Sequence, residues 1–147
     1  MSGQPLFYAA LIAIGGAAVA VQAPINGALG RSLASPLAAA TVSFGVGFLT
    51  LLALSVATGD GAVARALGAP YWQLAGGLLG AFYIWTMVTG VSSLGAVTAI
   101  AALVFGQLVA ALILDHLGAF GLAAQAISPT RLAAVALVGA GLILSRL

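Results

Sequence analysis

Long apolar runs alternate with short polar breaks along this chain, and the pattern predicts five membrane-spanning helices. The apolar runs lie at about residues 5–24, 36–58, 70–91, 95–114 and 131–146. Four of them reach the ~20 residues needed to cross the hydrocarbon core of a bilayer, and the fifth is short. We therefore predict an all-α polytopic membrane protein in which residues 1–147 form a single transmembrane domain.

The stretch from Pro70 to His116 is predicted to be a helical hairpin on which the other helices pack. Its two spans are separated only by Ser92-Ser93-Leu94-Gly95, which is too short to let them part. Small residues recur at four-residue spacing, which lets helix backbones approach closely in lipid. The predicted packing positions are Gly76, Gly80, Ala102, Gly106 and Ala110 in the hairpin, with Ala136 and Ala140 in the fifth helix.

Proline and serine indicate where helices begin and end. Ser35-Pro36 and Ser128-Pro129 each combine an N-cap residue with proline at the first helical position. Pro24 lacks an amide hydrogen and is expected to end or kink the first helix.

Gln22 and Asn26 flank this proline, and two interpretations of them stay open. If the helix persists, both amides share a stripe with Gly15 and Ala18 that a bundle interior would accept. If the helix ends there, the amides cap it and meet lipid headgroups.

Polar and aromatic side chains within the apolar runs are the candidates for lining a substrate pathway. Trp85 is either a packing residue or a platform for a ligand, because indole can stack on cations or apolar groups. An amide in a span needs another helix, water or a ligand as its partner, so Gln107 either orients substrate or bonds structurally to a neighbouring helix. The candidates are Gln22, Asn26, Ser43, Tyr83, Trp85 and Gln107.

Composition narrows the class of function. The chain is 63% hydrophobic and only 4% charged, which excludes a soluble domain. Its four scattered arginines form no patch for nucleic acid. The absence of cysteine excludes disulfides and Cys-ligated metals, and one histidine alone makes no metal site. Nothing resembles a catalytic triad, a phosphate loop or paired carboxylates, so we predict no enzymatic activity and no cofactor.

The charged residues all fall near the ends of apolar runs, so no span carries a charge in its interior. If transport is coupled to protons, the candidates are Asp115 and His116 at the end of the fourth span. The alternative for Asp115 is an interfacial carboxylate at a helix end, and the alternative for His116 is an interfacial side chain in contact with water. The charged residues are Arg31, Asp60, Arg65, Asp115, Arg131 and Arg146.

The arginines show no bias between the two sides of the membrane. Five spans place Arg65 and Arg131 on one side and Arg31 and Arg146 on the other. Because Lys/Arg bias sets orientation, this balance predicts dual topology, with two oppositely inserted copies pairing as an inverted dimer. The alternatives are that four arginines are too few to set orientation, or that a partner fixes it.

Several short motifs occur in order over nearly the whole chain: Gln22-Ala-Pro-Ile-Asn26 with Leu29, Ser35-Pro36, Ser43-Phe44-xx-Gly47, Trp72 followed by Gly76-Gly77-xx-Gly80, Leu94-Gly95-Ala96, Gly106-Gln107, and Asp115-His116-x-Gly118. In their order and spacing, these motifs resemble the YdcZ-type family of the drug/metabolite transporter superfamily. The resemblance implies a five-helix bacterial inner-membrane exporter, often encoded as paired small proteins or as a fused double-length chain.

A more distant likeness is to the small multidrug resistance transporters, which are four-helix antiparallel dimers. Their first helix carries a membrane-embedded glutamate, whereas the first helix of this chain offers Gln22 and Asn26. The substitution argues against glutamate-type exchange of protons for cations.

From these observations we predict a transporter that moves a small organic solute by alternating access. The expected assembly in the lipid bilayer is an antiparallel homodimer, or a heterodimer with a paralogue, around a pathway lined by the first four helices. The alternatives are a passive channel for small solutes or ions, built on the same inverted dimer, and a non-transporting membrane subunit that stabilises a partner.

Overall fold

The computed structural model describes residues 3–59 and 61–147, and those residues are almost entirely helical. The α helices are α1 (Gly3–Ser32), α2 (Pro36–Ala57), α3 (Tyr71–Leu94), α4 (Ala96–Leu117) and α5 (Pro129–Leu144). Short 3-10 helices at Gly61–Gly68 and Ala119–Gly121 follow α2 and α4. Asp60, in the predicted loop after α2, lies outside the described residues. The described part of the chain contains no strand, which confirms the all-α prediction.

Helices α1 to α4 are each long and apolar enough to cross a membrane, whereas α5 has 16 residues. At ~1.5 Å of rise per residue, α2 is about 33 Å long and α5 about 24 Å. The hydrocarbon core is about 30 Å thick, so α5 alone is shorter than the layer. Such mismatch is accommodated by local thinning of the bilayer or by side chains that reach the interface.

Pro24 does not end α1, which continues to Ser32. The predicted end at residue 24 is wrong because a proline removes only one helical hydrogen bond, the one to the carbonyl of Ala20. Transmembrane helices tolerate this loss where neighbouring groups compensate. Gln22 and Asn26 therefore lie on one continuous helix, and Asn26 is only 5% exposed. The interpretation in which the amides belong to the bundle interior is therefore confirmed, and the one in which they cap a helix end is not.

The predicted start signals of α2 and α5 are confirmed. The Ser35 hydroxyl accepts a hydrogen bond from the Ala38 amide at 3.1 Å, and the Ser128 hydroxyl accepts one from the Arg131 amide at 3.3 Å. Helix α3 is longer than predicted, because Ser92 and Ser93 remain helical and only Gly95 breaks the run. Gly95 has φ of +77°, a conformation that glycine adopts without strain.

The chain divides into two compact units, the first ending at Ser93 and the second beginning at Leu94. This boundary falls inside the predicted hairpin, whose role as the centre of packing stays a prediction. Within the first unit α1 packs against α2, and within the second unit α4 packs against α5.

In the first unit, glycines on α1 let α3 approach. A Cβ atom added at Gly27 would lie 2.8 Å from Val91 Cγ1, and one at Gly30 would lie 3.0 Å from Val88 Cγ1. Ile84, Val88 and Val91 belong to one buried face of α3 at helical spacing. Ile84 and Val88 form the core of the unit with Ala39 and Ala40 of α2.

In the second unit, α4 and α5 run antiparallel and contact each other at both ends and in the middle. At one end the Thr98 hydroxyl donates to the Ser145 carbonyl at 3.1 Å, and at the other Asp115 and Arg131 form an ion pair. Between them, a Cβ atom added at Gly139 would lie 2.9 Å from the Phe105 ring.

The predicted packing positions differ in their burial and in the atoms that surround them. A Cβ atom at Gly80 would lie 3.2 Å from the Phe44 ring, so Gly80 does pack against another helix. Ala102 is half-buried, whereas Ala110, Ala136 and Ala140 are exposed. No described atom lies within 4 Å of a Cβ built at Gly76 or Gly106. For these exposed positions, close helix packing stays a prediction.

Candidate functional site

Three predicted pathway residues meet between α1 and α2, and we call them the amide–hydroxyl cluster: Gln22, Asn26 and Ser43. The Asn26 amide donates to the Ser43 hydroxyl oxygen at 3.1 Å. The Gln22 amide donates to the same oxygen at 3.4 Å. Gln22 and Asn26 lie one helical turn apart on α1, so both can reach a single hydroxyl on the neighbouring helix.

The cluster lies within the apolar layer rather than at its edge. Ser43 is seven residues into α2, which places it about 10 Å along a helix that is itself about as long as the layer is thick. Inside hydrocarbon, polar groups must be satisfied by protein, trapped water or a ligand. A polar cluster at this depth is therefore a candidate binding site.

An open pocket of about 360 Å³ adjoins the cluster. Ser43, Gly47 and Leu51 follow each other at one-turn spacing along α2, and the two phenylalanines alternate with them. Gly47 leaves its centre open, because no described atom lies within 4 Å of a Cβ built there. The pocket thus has one polar end and apolar, aromatic walls. Its lining residues are Gln22, Ser43, Phe44, Gly47, Phe48 and Leu51.

The cluster does not use all of its hydrogen-bonding capacity. A serine hydroxyl can accept two hydrogen bonds and donate one, and the two amides fill the accepting positions. The Gln22 amide has a second N–H and a carbonyl oxygen, and it is only half-buried. Among the residues that the structure describes, no partner takes the Ser43 hydroxyl proton or the remaining Gln22 groups, so these can bind a molecule in the pocket.

Tyr83 and Trp85 occupy different faces of α3. Tyr83 is partly buried against the core formed by Ala39, Ala40, Ile84 and Val88. Trp85 is 42% exposed, and its ring lies 6.3 Å from that of Phe82. Neither residue lines the pocket beside the cluster. Their predicted place in a substrate pathway stays a prediction.

Gln107 belongs to the second unit and is exposed on α4. The other predicted amides, Gln22 and Asn26, belong to the first unit. Gln107 can take its predicted interior position only if a surface outside its own unit covers the side chain.

Asp115, predicted as a candidate for proton coupling, holds the connection between α4 and α5. Its carboxylate pairs with the Arg131 guanidinium, and its backbone carbonyl accepts a hydrogen bond from the Gln125 amide at 2.8 Å. Both charged side chains are about one-third exposed. His116 is exposed beside them. These contacts give Asp115 a structural role, while proton coupling at either residue stays a prediction.

The pocket walls formed by Phe44, Phe48 and Leu51 were not predicted from the sequence. The signal was available in the spacing, since Phe44 and Phe48 each adjoin a small residue, Ser43 or Gly47, on one side of α2. Sequence reasoning singled out Ser43 as the pathway residue of this helix and gave its phenylalanines no place in the pathway. In this helix, aromatic residues next to small ones form walls around the space that the small ones leave.

Comparison with known proteins identifies the family. A family model described as "Putative inner membrane exporter, YdcZ" matches residues 7–144. The inner membrane protein YdcZ of Escherichia coli (strain K12) is 38% identical over 77 residues, which make up 52% of this chain and 52% of that protein. The aligned part thus spans about half the length of this curated relative. No solved structure matches the chain. Because the family match covers nearly the whole sequence, the chain belongs to the YdcZ family and is an inner membrane protein.

Proposed function

We propose that this chain is a transporter that exports a small organic solute across the bacterial inner membrane, with the pocket between α1 and α2 as its binding site. The observation that carries the proposal is the amide–hydroxyl cluster, which opens onto that pocket inside the apolar layer. Interhelical hydrogen bonds in membranes contribute only about 0.6 kcal/mol on average. Stability alone is therefore a weak reason to place three polar side chains there.

The family description supports export as the direction of transport. The size of the pocket supports a small solute, because about 360 Å³ is near the lower end of the ~300–1,000 Å³ typical of ligand sites. The uncharged lining supports a mechanism in which the solute is recognised by hydrogen bonds and apolar contact.

We further propose that two copies, inserted in opposite directions, form the working transporter. A homodimer and a heterodimer with a paralogue are both compatible with the balanced arginines. The pocket is open on one side, and a second copy would supply a wall for it. Alternating access then follows if the two copies rock against each other about the bound solute.

Cells that express the protein can test export and the assigned pocket together. The probe is a panel of toxic small organic solutes, scored by the concentration at which growth stops. Gly47→Leu fills the open centre of the pocket and should remove any protection that the native protein gives. Gly45→Leu is the matched control, because Gly45 is exposed two residues away and has no described atom within 4 Å of an added Cβ.

Protection that survives Gly47→Leu would assign export to another part of the protein. If no solute in the panel is tolerated better by expressing cells, and purified protein in liposomes moves none of them, the chain is the non-transporting subunit instead. Flux that saturates and shows countertransport indicates a carrier. Flux that stays linear to high concentration indicates a channel.

Dual insertion is tested with single cysteines, which are unique because the native chain has none. Leu33→Cys and Gly61→Cys lie near opposite ends of α2. Labelling from outside intact cells should reach about half of each variant, since the arginine balance selects neither orientation. Complete labelling of one and none of the other would show a single orientation.

A further inference from the structure

We propose that the α1–α2 pocket selects uncharged solutes that join an apolar, preferably aromatic, body to a single hydrogen-bonding head group. The inference rests on the proposed function, because it names the class of solute that the same site would take. It is carried by three features of the pocket: its walls, its polar end and the charge of its lining.

The walls fit an apolar body about the size of one ring. Phe44 and Phe48 lie one turn apart on the same helix, and Gly47 between them leaves the space into which a ring could fit. Aromatic rings prefer offset or edge-to-face contact at centroid separations of about 4.5–7 Å, which two phenylalanines one turn apart can offer. Leu51 completes the apolar surface at the end opposite Ser43.

The polar end fits one small head group. The Ser43 oxygen accepts from both Asn26 and Gln22, and no acceptor for its proton is found among the described residues, so the proton can serve an acceptor on the solute. The remaining Gln22 groups can donate and accept. A hydroxyl, a carbonyl or a primary amide on the solute can bond to these groups, since each presents an acceptor. The hydroxyl and the primary amide also present a donor.

The lining excludes a charged head group. The charged described residues of this unit are Arg31 and Arg65, and neither lines the pocket. Arg31 is nine residues from Gln22 along α1, or about 13 Å. Burying a charge in a span without a partner disfavours binding by about 60-fold or more. Stacking of a cation on a partly exposed phenylalanine strengthens binding by only about 2- to 5-fold.

The test compares three compounds with the same body and different heads: 2-phenylethanol, 2-phenylethylammonium and phenylacetate. Purified full-length protein in lipid nanodiscs is equilibrated with each radiolabelled compound. Binding to protein-free nanodiscs is subtracted, because the neutral compound also partitions into lipid. 2-Phenylethanol should bind at least tenfold more tightly than either ion.

Three variants connect the binding to the pocket. Gly47→Leu should abolish specific binding of 2-phenylethanol, while Gly45→Leu should leave it unchanged. Ser43→Ala removes one hydrogen bond to the head group and should weaken binding by about 2- to 12-fold. Equal binding to Ser43→Ala and native protein would overturn the assigned head-group contact.

The outcomes separate this inference from the proposed function. If one of the ions binds more tightly than 2-phenylethanol and Gly47→Leu abolishes that binding, the solute class is wrong while the pocket stands as the binding site. If Gly47→Leu leaves binding of all three compounds unchanged, the pocket is not a solute site. Both the inference and the assigned location of transport then fail.

Discussion

The polar side chains of the two compact units differ in their depth in the membrane and in their partners. In the first unit, the uncharged amide–hydroxyl cluster lies inside the apolar layer and retains unused hydrogen-bonding groups beside a pocket. In the second unit, Asp115 and Arg131 pair with each other at the ends of α4 and α5. The cluster is thus held by neutral hydrogen bonds inside the apolar layer, while the ion pair is held by opposite charges at the ends of its helices.

This difference indicates which polar group serves stability and which serves recognition. An ion pair at helix ends joins two helices whose termini already meet water, so its desolvation cost is modest. Three neutral side chains at depth contribute little to stability, yet they avoid the larger cost of a buried charge. We therefore expect substitutions at the ion pair to change folding most, and substitutions at the cluster to change solute binding most.

Arg131→Asp should have the largest effect on stability, because it replaces an attraction with a repulsion between Asp115 and the new carboxylate. Breaking a fully buried pair costs about 3–5 kcal/mol, and the partial exposure of this pair lowers the expected loss to roughly 2–3 kcal/mol. The free energy of unfolding can be measured by titrating the protein in mixed micelles with a denaturing detergent.

The exchanged double variant, Asp115→Arg with Arg131→Asp, is the control for this loss. It restores opposite charges at the same two positions and should recover more than half of the lost stability. If the double variant is as unstable as Arg131→Asp alone, the pair is not what joins α4 to α5.

Close-packing glycines should give the next largest effects, and they compare the two units directly. Gly27→Ala places a methyl group 2.8 Å from a branched valine that has little room to turn, and overpacking of this kind costs about 1–3 kcal/mol. Gly139→Ala meets the edge of the Phe105 ring at 2.9 Å, and the ring can rotate. We expect Gly139→Ala to cost less than Gly27→Ala.

Each of these substitutions has a matched control on its own helix. Gly15→Ala on α1 and Gly141→Ala on α5 add the same methyl group where no described atom lies within 4 Å. Both should leave the free energy of unfolding unchanged or raise it slightly, because alanine favours a helix over glycine. A loss at Gly141 equal to that at Gly139 would remove the Phe105 contact as the cause.

The fold was predictable from the sequence to the extent that it depends on local pattern. Apolar run length identified α1 to α4, and serine followed by proline located the starts of α2 and α5. The end of α1 was not predictable, because whether Pro24 breaks a helix depends on what surrounds it. The pairing of helices was not predictable either, because small-residue spacing occurs on exposed and partly buried surfaces alike, as Gly76 and Gly80 show.

The candidate site was predictable in its chemistry but not in its geometry. Gln22, Asn26 and Ser43 were identified because amides and hydroxyls are uncommon in apolar runs. The two amides donate to the one Ser43 oxygen because of the register between α1 and α2, which cannot be read from the sequence. The aromatic walls were missed because Phe44 and Phe48 look like ordinary lipid-facing residues when α2 is considered alone.

Gly80→Ala should have a smaller effect on stability, of less than about 1 kcal/mol. The added methyl group would lie 3.2 Å from the tip of Phe44, which can move by a few tenths of an ångström. Phe44 is also a pocket wall, so binding of 2-phenylethanol should weaken in this variant. Gly76→Ala, one turn earlier on α3 and in open space, is the control: it should leave binding unchanged and should leave the free energy of unfolding unchanged or slightly raised.

Gln107→Leu should have the smallest effect on stability and the most informative effect on activity. The side chain is exposed on α4, and no hydrogen bond to it is found among the described residues, so its replacement removes no contact within the chain. Leucine is close to glutamine in volume and abolishes every polar interaction. If Gln107 lines the transport pathway, as its position in an apolar run predicts, export should fall at least tenfold while the free energy of unfolding and the proposed dimer stay unchanged. Gln73→Leu replaces another exposed amide, near the start of α3, and should keep full export. Loss of the dimer together with activity would instead make Gln107 an interhelical contact between copies, and normal export by the leucine variant would remove it from the pathway.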